Sequence, residues 1–172
     1  MKPLLFIISL LLSFHLSSQN KGIKVYVVIA EDCPICNYMG RTLSDVAETY
    51  KDKVEFYAVF PVKRSNYKTI NAFKKKYNLE AFESILDSDQ LIVRKYNATV
   101  TPEVIIADAS DNILYRGRVN DAYTAPGKRK MKHPSRELER NILSALNGNP
   151  INEPWPEAIG CYITFNKHAN QR

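Results

Sequence analysis

Residues 24–36 read KVYVVIAEDCPIC, and this stretch underlies the prediction of the fold. Residues 24–30 are mostly β-branched, aromatic or otherwise apolar, which predicts a short buried strand. Two cysteines follow, and Pro34 stands between them where an α-helix accepts proline, in its first turn. From residue 36 to residue 51 apolar side chains recur every three or four positions, which predicts an amphipathic helix. The stretch therefore predicts a strand, a CxxC motif and a helix in direct succession.

The position of the CxxC motif at the start of a helix favours thiol chemistry. A cysteine there meets unpaired backbone N–H groups and the positive end of the helix dipole. Both lower the thiol pKa below its ordinary value of about 8.5, and the thiolate is the species that attacks disulfides. We therefore expect Cys33 to be an exposed nucleophile and Cys36 to be buried behind it as the resolving thiol. The neighbouring carboxylates of Glu31 and Asp32 oppose thiolate formation, so the redox potential stays open.

Two other uses of the CxxC motif compete with redox chemistry. A CxxC pair can be half of a zinc site, but the remaining ligands would have to come from Cys161, His133 and His168. The pair can also form a purely structural disulfide. Because the motif joins a strand to a helix, redox chemistry is the favoured interpretation, and no metal or cofactor is expected.

Strands alternate with helices along the rest of the chain. Further strands are predicted at residues 54–60, 82–86, 103–107 and 113–118, with a turn at Asp111 and Asn112 between the last two. Helices are predicted at residues 66–77, 90–96 and 136–146, the last with Ser135 as its N-cap. Residues 120–134 are predicted to form a loop. This order predicts an α/β sandwich with a mixed central sheet flanked by helices.

A second motif, Val100-Thr101-Pro102-Glu103, precedes the strand at residues 103–107. Together with strand-CxxC-helix, it resembles the thioredoxin superfamily, in which a cis-proline at this place faces the CxxC motif. The resemblance implies that Pro102 is cis and keeps metals off the thiols. It also implies that Thr101 offers its backbone to a bound substrate strand.

A narrower resemblance covers most of the chain. The run Tyr115-Arg116-Gly117-Arg118 and the late segment Ile159-Gly160-Cys161 are together similar to the peroxiredoxin-like redoxins of bacteria, described as AhpC/TSA-like or redoxin-domain proteins. Peroxiredoxins proper carry Thr or Ser three positions before the reactive cysteine, where this chain has Ala30. The hydroxyl that would hold a peroxide is missing, so thiol peroxidase activity ranks below dithiol–disulfide exchange.

The two ends of the chain are set apart from the thioredoxin-like domain, which is predicted at residues 20–148. Residues 1–19 contain Lys2 followed by an apolar run too short to span a membrane, an order typical of a cleaved signal peptide. This predicts a periplasmic or otherwise extracytoplasmic protein that has no membrane association after cleavage. An uncleaved N-terminal anchor is the alternative. Residues 149–172 are predicted to form a C-terminal tail that packs on the domain, because they are too apolar to stay in water.

The charge pattern does not indicate a nucleic-acid partner. The formal net charge is +6, with the densest basic cluster at residues 128–132. Such a cluster could contact nucleic acid or acidic lipid, but it lacks interleaved stacking aromatics, and a solvated loop is the simpler interpretation. Arg116 and Arg118 share one face of a predicted strand, where they either steer an acidic partner or are solvated at the sheet edge.

Cys161 leaves three interpretations open. It is a small buried apolar residue, a third thiol near the active site, or the site of an intermolecular disulfide. We expect it to stay reduced while Cys33 and Cys36 pair, because the CxxC pair closes a far smaller loop.

The sequence as a whole predicts an extracytoplasmic thiol–disulfide oxidoreductase that acts through Cys33 and Cys36. Its expected partners are thiols or disulfides of exported proteins and a redox partner protein. A thiol peroxidase and a copper- or metal-binding thioredoxin-fold module are the alternatives. The direction of exchange and the oligomeric state stay open.

Overall fold

The computed structural model describes residues 22–167. The predicted signal peptide and His168 therefore lie outside the described residues. Within this part of the chain the helices are α1 (Pro34–Tyr50), α2 (Tyr67–Tyr77), α3 (Leu91–Lys95) and α4 (Glu137–Leu146). The strands are β1 (Ile23–Val28), β2 (Glu55–Phe60), β3 (Phe82–Leu86), β4 (Val100–Thr101), β5 (Glu103–Asp108), β6 (Ile113–Gly117), β7 (Tyr123–Ala125), β8 (Lys128–Arg129) and β9 (Cys161–Tyr162).

Five strands form the central sheet in the order β3-β2-β1-β5-β6. β1 pairs in parallel with β2, and β2 pairs in parallel with β3. β5 runs antiparallel to both β1 and β6. The sheet is therefore mixed, and the predicted α/β sandwich is confirmed. β1 lies at its centre, so the CxxC motif that follows β1 is attached to the most enclosed strand.

Both faces of the sheet are covered, which explains why the last four residues of β1 are all apolar and buried. Val25 and Val27 face a core that also contains the buried side chains of α1, α2 and α4. Tyr26 and Val28 face a smaller cluster on the other side, formed with α3 and with Ile163 of the tail. Side chains alternate between the faces of a strand, so a central strand between two layers of cover carries apolar residues at successive positions rather than at every second one.

Two helices begin at clear caps. The Asn66 side chain accepts from the backbone N–H groups of Lys68 and Thr69, and the Thr69 hydroxyl accepts from the Asn66 N–H, which completes a capping box at α2. At α3 the buried Asp87 carboxylate accepts three backbone N–H groups, those of residues 91–93. These contacts satisfy donors that helix starts leave unpaired.

Two local predictions were wrong. Ser135 is not an N-cap, because its hydroxyl instead accepts from the backbone N–H of Asp121, and Arg136 occupies the cap position without a side-chain cap. Residues 120–134 are not an unstructured loop, because they contain the antiparallel hairpin of β7 and β8. Gly127, with φ of +74°, lies in the turn of this hairpin, in a conformation that favours glycine.

The tail after α4 folds back over the domain. Trp155 and Ile159 pack against the larger core, and the backbone of Pro156 accepts from the N–H of Arg118 at the end of β6. The chain then pairs with β4 through β9. Among residues 22–167, no helix is long and apolar enough to cross a membrane.

Candidate active site

Cys33 occupies the N-cap of α1, with extended backbone angles, and Pro34 opens the helix. The Cys33 N–H donates to the carbonyl of Ala30 at 3.1 Å, and its own carbonyl accepts from Asn37 at 3.0 Å. This tight turn brings the chain from β1 directly into the helix. It leaves the Cys33 sulfur beside the first-turn N–H groups, which have no partner within the helix.

The segment before Pro102 lies against Cys33. The Thr101–Pro102 peptide bond is cis. The carbonyl oxygen of Thr101 lies 3.1 Å from Cys33 Sγ, close enough to accept from the thiol. The structure therefore brings Cys33 and Thr101 together from distant parts of the chain.

Cys161 is the third member of the site. Its strand β9 pairs antiparallel with β4, and the register places Cys161 opposite Thr101. The sulfurs of Cys33 and Cys161 are 2.7 Å apart, and Cys33, Cys36 and Cys161 are all free thiols. Of the three interpretations of Cys161, this position matches a third thiol near the active site.

The three thiols differ in pKa. The pKa of Cys33 is lowered to about 4, chiefly by hydrogen bonding with the Cys36 thiol and, against the effect of burial, also with the Cys161 thiol. Burial raises the pKa of Cys36 well above its ordinary value and that of Cys161 to about 12, and the charge of Cys33 adds to both shifts. As a thiolate, Cys33 accepts from its two neighbours; as a thiol, it donates to the Thr101 carbonyl. At neutral pH the first arrangement prevails.

Cys33 is not exposed, contrary to the prediction. Its exposed fraction is 2%, nearly as low as the 1% of Cys36, because the Thr101 backbone and Cys161 cover it. Part of this cover comes from the tail, which is far from the CxxC motif in sequence. The motif itself therefore gave no sign that Cys33 would be buried.

The carboxylates beside the motif have partners of their own. Arg64 forms a salt bridge with Asp32, and Glu31 accepts from the hydroxyls of Ser65 and Thr69, both at 2.7 Å. These contacts direct the carboxylates toward the residues before and at the start of α2. The two carboxylates were expected to oppose a Cys33 thiolate. Other contacts outweigh them, because the pKa of Cys33 is lowered.

Glu103 is a supporting residue that the sequence analysis missed. Its buried carboxylate accepts from the backbone N–H of Thr99 at 2.8 Å and of Val100 at 3.4 Å, with Arg116 at 3.7 Å. It therefore holds the strand that lies against Cys33. The sequence did contain a hint of this role, because an acidic residue begins a strand that is otherwise mostly apolar.

A cleft of about 680 Å³ borders the sulfurs. Its lining includes Cys33, Thr101, Cys161 and Tyr162, together with the basic residues Lys63 and Arg64. A separate cleft of about 240 Å³, between α1 and the start of α4, contains no cysteine. Within residues 22–167 no group of His, Cys, Asp and Glu is arranged to hold a metal ion, and His133 is exposed outside the thiol cleft.

Both arginines of the Tyr-Arg-Gly-Arg run have intramolecular partners. Arg118 binds Glu137 through two hydrogen bonds of 2.7 Å, and Arg116 donates to the backbone carbonyl of Tyr96 at 3.3 Å. In the basic cluster, Lys130 pairs with Asp121, and the Arg129 guanidinium lies 5.2 Å from the centre of the Tyr38 ring. Several of the basic side chains singled out in the sequence therefore have partners within the domain.

Solved structures resemble the chain in fold. A hypothetical protein from Sinorhizobium meliloti 1021 superposes with a TM-score of 0.75 at 19% identity, covering 86% of this chain and 81% of that one. An uncharacterized conserved protein from Geobacillus kaustophilus gives 0.74 at 21% identity, covering 86% and 79%. A secreted Mycobacterium tuberculosis disulfide oxidoreductase homologous to E. coli DsbE gives 0.54 at 22% identity, covering 72% and 82%.

No curated protein matches the sequence. The family model named Redoxin matches residues 10–130, well over half of the chain. The protein therefore belongs to the Redoxin family and has a thioredoxin-like fold.

Proposed function

We propose that the protein is an extracytoplasmic thiol–disulfide oxidoreductase whose Cys33–Cys36 dithiol exchanges with cysteines of exported proteins. The observation that carries this proposal is the asymmetry of the two thiols at the start of α1. Cys33 has a lowered pKa at the N-cap, whereas the pKa of the buried Cys36 is raised. An exchange reaction needs one sulfur that attacks and a second that stays protonated until it resolves the intermediate.

Each step of the exchange conserves atoms and electrons. The Cys33 thiolate attacks a substrate disulfide, a Cys33–substrate disulfide forms, and the other substrate sulfur leaves as a thiolate. Cys36 then loses its proton and attacks Cys33 Sγ, which releases the second substrate sulfur. The substrate disulfide is reduced and a Cys33–Cys36 disulfide is produced. The same steps in reverse oxidise a dithiol substrate, and in either direction a redox partner protein restores the starting state.

Family membership and one structural neighbour support this chemistry. The Redoxin family model covers the CxxC motif and Pro102. The M. tuberculosis neighbour is described as a secreted disulfide oxidoreductase. The proposed export rests on the signal-peptide pattern of residues 1–19. Thr101, whose carbonyl lies against Cys33, and the adjoining Pro102 are the proposed docking residues for a substrate strand.

Equilibration of the protein in glutathione buffers of graded potential, followed by disulfide mapping, tests the proposal. The expected result is a two-electron transition in the wild type that requires Cys33. Cys33→Ser should abolish the transition, whereas Cys36→Ser should leave Cys33 reactive but without its CxxC partner. Retention of the transition in Cys33→Ser would contradict the assignment.

Two further assays separate the alternatives. Hydrogen peroxide consumption should be absent, because Ala30 supplies no hydroxyl to hold peroxide. Added Cu(I) should not bind at one equivalent with the thiols as ligands, since Cys33 and Cys36 are almost completely buried and the Thr101 backbone covers Cys33. Peroxide turnover or tight copper binding would favour the corresponding alternative.

A further inference from the structure

The tail reaches Cys33 as an added strand. Cys161 lies opposite Thr101 in the β4–β9 pair, and the N–H of Ile163 donates to the carbonyl of Thr99 at 2.9 Å. Main-chain hydrogen bonds thus hold residues 161–163 against residues 99–101. Tyr162, with an exposed fraction of 84%, shows that part of this strand faces solvent.

Gly160 makes the close approach possible. A Cβ atom built on this residue would lie 2.6 Å from the carbonyl carbon of Thr101 and closer still to its oxygen. The clashing atoms belong to the backbone of Thr101, which is held in the β4–β9 pair and cannot shift without disturbing that pairing. Any residue larger than glycine would therefore push the tail away from β4 and move Cys161 relative to Cys33.

These contacts have the form expected of a bound substrate. A protein substrate must present a cysteine sulfur to Cys33, and an extended segment does so when it pairs with a free strand edge beside the thiol. The tail occupies the edge of β4, and its own sulfur lies 2.7 Å from Cys33 Sγ. The pairing gives the tail a fixed register relative to the nucleophile.

We propose that residues 160–163 are a built-in substrate strand, in which Cys161 takes the place of a substrate cysteine and forms a disulfide with Cys33. This inference rests on the proposed function, because it uses the same nucleophile. An external substrate must displace the strand. The substrate class that fits is an extended peptide with a small residue before its cysteine and an apolar residue two positions after it, since Gly160 lies against Thr101 and Ile163 is buried whereas Tyr162 faces solvent.

The exchange inside the chain needs no external oxidant once the protein is oxidised. In the Cys33–Cys36 form, the Cys161 thiolate attacks Cys33 Sγ; the Cys33–Cys161 bond forms, the Cys33–Cys36 bond breaks, and Cys36 takes up a proton. The reverse step restores the CxxC disulfide and protonates Cys161. The small CxxC loop favours the Cys33–Cys36 bond in a flexible chain, but in the folded protein the Cys33–Cys161 loop is already closed by tertiary contacts.

The test uses the Cys36→Ser protein with oxidised glutathione as the disulfide reagent. Glutathione should first form a mixed disulfide with Cys33, and Cys161 should then displace it, leaving an intramolecular Cys33–Cys161 disulfide in the monomer. Adding Gly160→Ala should slow the second step by about tenfold or more, since displacing reacting atoms by about 1 Å is costly. Gly22→Ala in the same background is the matched control, because its Cβ meets nothing within 4 Å.

A persistent Cys33–glutathione adduct in Cys36→Ser, or equal rates for Gly160→Ala and Gly22→Ala, would overturn the inference while leaving the proposed function intact. If Cys33 does not react with glutathione disulfide even in the Gly160→Ala background, in which the covering tail is displaced, the proposed function itself fails. Circular dichroism of each variant establishes that a slow second step does not come from unfolding.

A peptide competition tests the substrate class. The peptide Ala-Ile-Gly-Cys-Tyr-Ile-Thr-Phe, which copies residues 158–165, is activated as its mixed disulfide with glutathione and added to the Cys36→Ser, Cys161→Ser, Gly160→Ala protein, in which the chain's own strand is displaced from β4. It should form a Cys33–peptide disulfide about tenfold faster than a scrambled peptide of the same composition, as main-chain pairing holds its sulfur at Cys33. Equal rates for the two peptides would show that β4 does not select a strand of this kind and would overturn the inference.

Discussion

The carbonyl oxygen of Thr101 lies 3.1 Å from the sulfur of Cys33, although 68 residues separate the two in sequence. This contact means that any strand paired with the main chain around Thr101 passes directly over the thiol. The protein's own tail does so, which explains the almost complete burial of Cys33. Its Cys161 thiol also adds to the lowering of the Cys33 pKa, which Cys36 chiefly causes. Reactivity toward large substrates should therefore depend on how readily the tail is displaced.

The pKa of Cys33 should rise when its neighbours lose their thiols. Cys36→Ala removes the largest influence that lowers it, and Cys161→Ala removes a smaller one of the same sign. Titration of the thiolate by its ultraviolet absorbance should show an upward shift in both variants, larger in Cys36→Ala. A Cys33 pKa unchanged in Cys36→Ala would contradict the hydrogen-bonding cause.

Acidification should remove a stabilising contribution of Cys33 from the reduced protein. The folded-state pKa of about 4 lies below the ordinary value of about 8.5, so the folded state holds fewer protons on Cys33 than the unfolded state between these values. The contribution is fully present above pH about 8.5 and is lost as the pH falls through about 4. Urea unfolding of the reduced wild type and Cys33→Ala should give a stability difference that moves against the wild type from pH 8 to pH 4.

The raised pKa values of Cys36 and Cys161 do not interfere in this interval, because both groups are protonated in the folded and unfolded states below pH about 8. A stability difference that is constant between pH 8 and pH 4 would show that Cys33 is not a thiolate at neutral pH.

The ion pair between Arg118 and Glu137 should contribute to stability. It joins the end of β6 to the first turn of α4 through two hydrogen bonds, and Glu137 is buried. Arg118→Ala should lower the free energy of unfolding by about 1.5–3 kcal/mol, the range for hydrogen bonds to charged groups. Arg136→Ala is the control, because Arg136 pairs with Glu139 but its side chain is 80% exposed, and the loss should be about 0–1 kcal/mol.

Chemical denaturation of the two variants measures the difference. Equal losses would indicate that the Arg118–Glu137 pair gains nothing from its partial burial and its two-bond geometry.

Glu103 should hold β4 in place for the site. Glu103→Ala leaves the N–H groups of Thr99 and Val100 without their acceptor, and an unpaired buried donor costs about 1–3 kcal/mol. Amide hydrogen exchange at these two positions should become faster, and global stability should fall. Glu83→Ala, at an exposed position of β3, is the control and should change neither quantity. Unchanged exchange at residues 99 and 100 would show that the carboxylate does not anchor the strand.

Local sequence patterns were sufficient for most of the fold. The apolar run before the CxxC motif, the amphipathic spacing of α1 and the Asp111–Asn112 turn each depend on neighbouring residues, and the structure contains all three elements. The prediction at Ser135 was wrong because its competing partner, Asp121, comes from across a hairpin whose strands are short and largely exposed.

The strand-CxxC-helix unit and the likeness to thioredoxin-like redoxins can be recognised from the amino-acid sequence alone, since helix starts, periodicity and motif spacing are local properties. Three features of the site become visible only in the folded protein: the meeting of Thr101 and Cys161 at Cys33, the burial of the nucleophile, and the pairing of Glu31 and Asp32 with residues near the start of α2. They depend on contacts between segments far apart in the chain. The strand register and the burial of Cys33 follow from the packing of the whole domain, and no short stretch of residues encodes that packing.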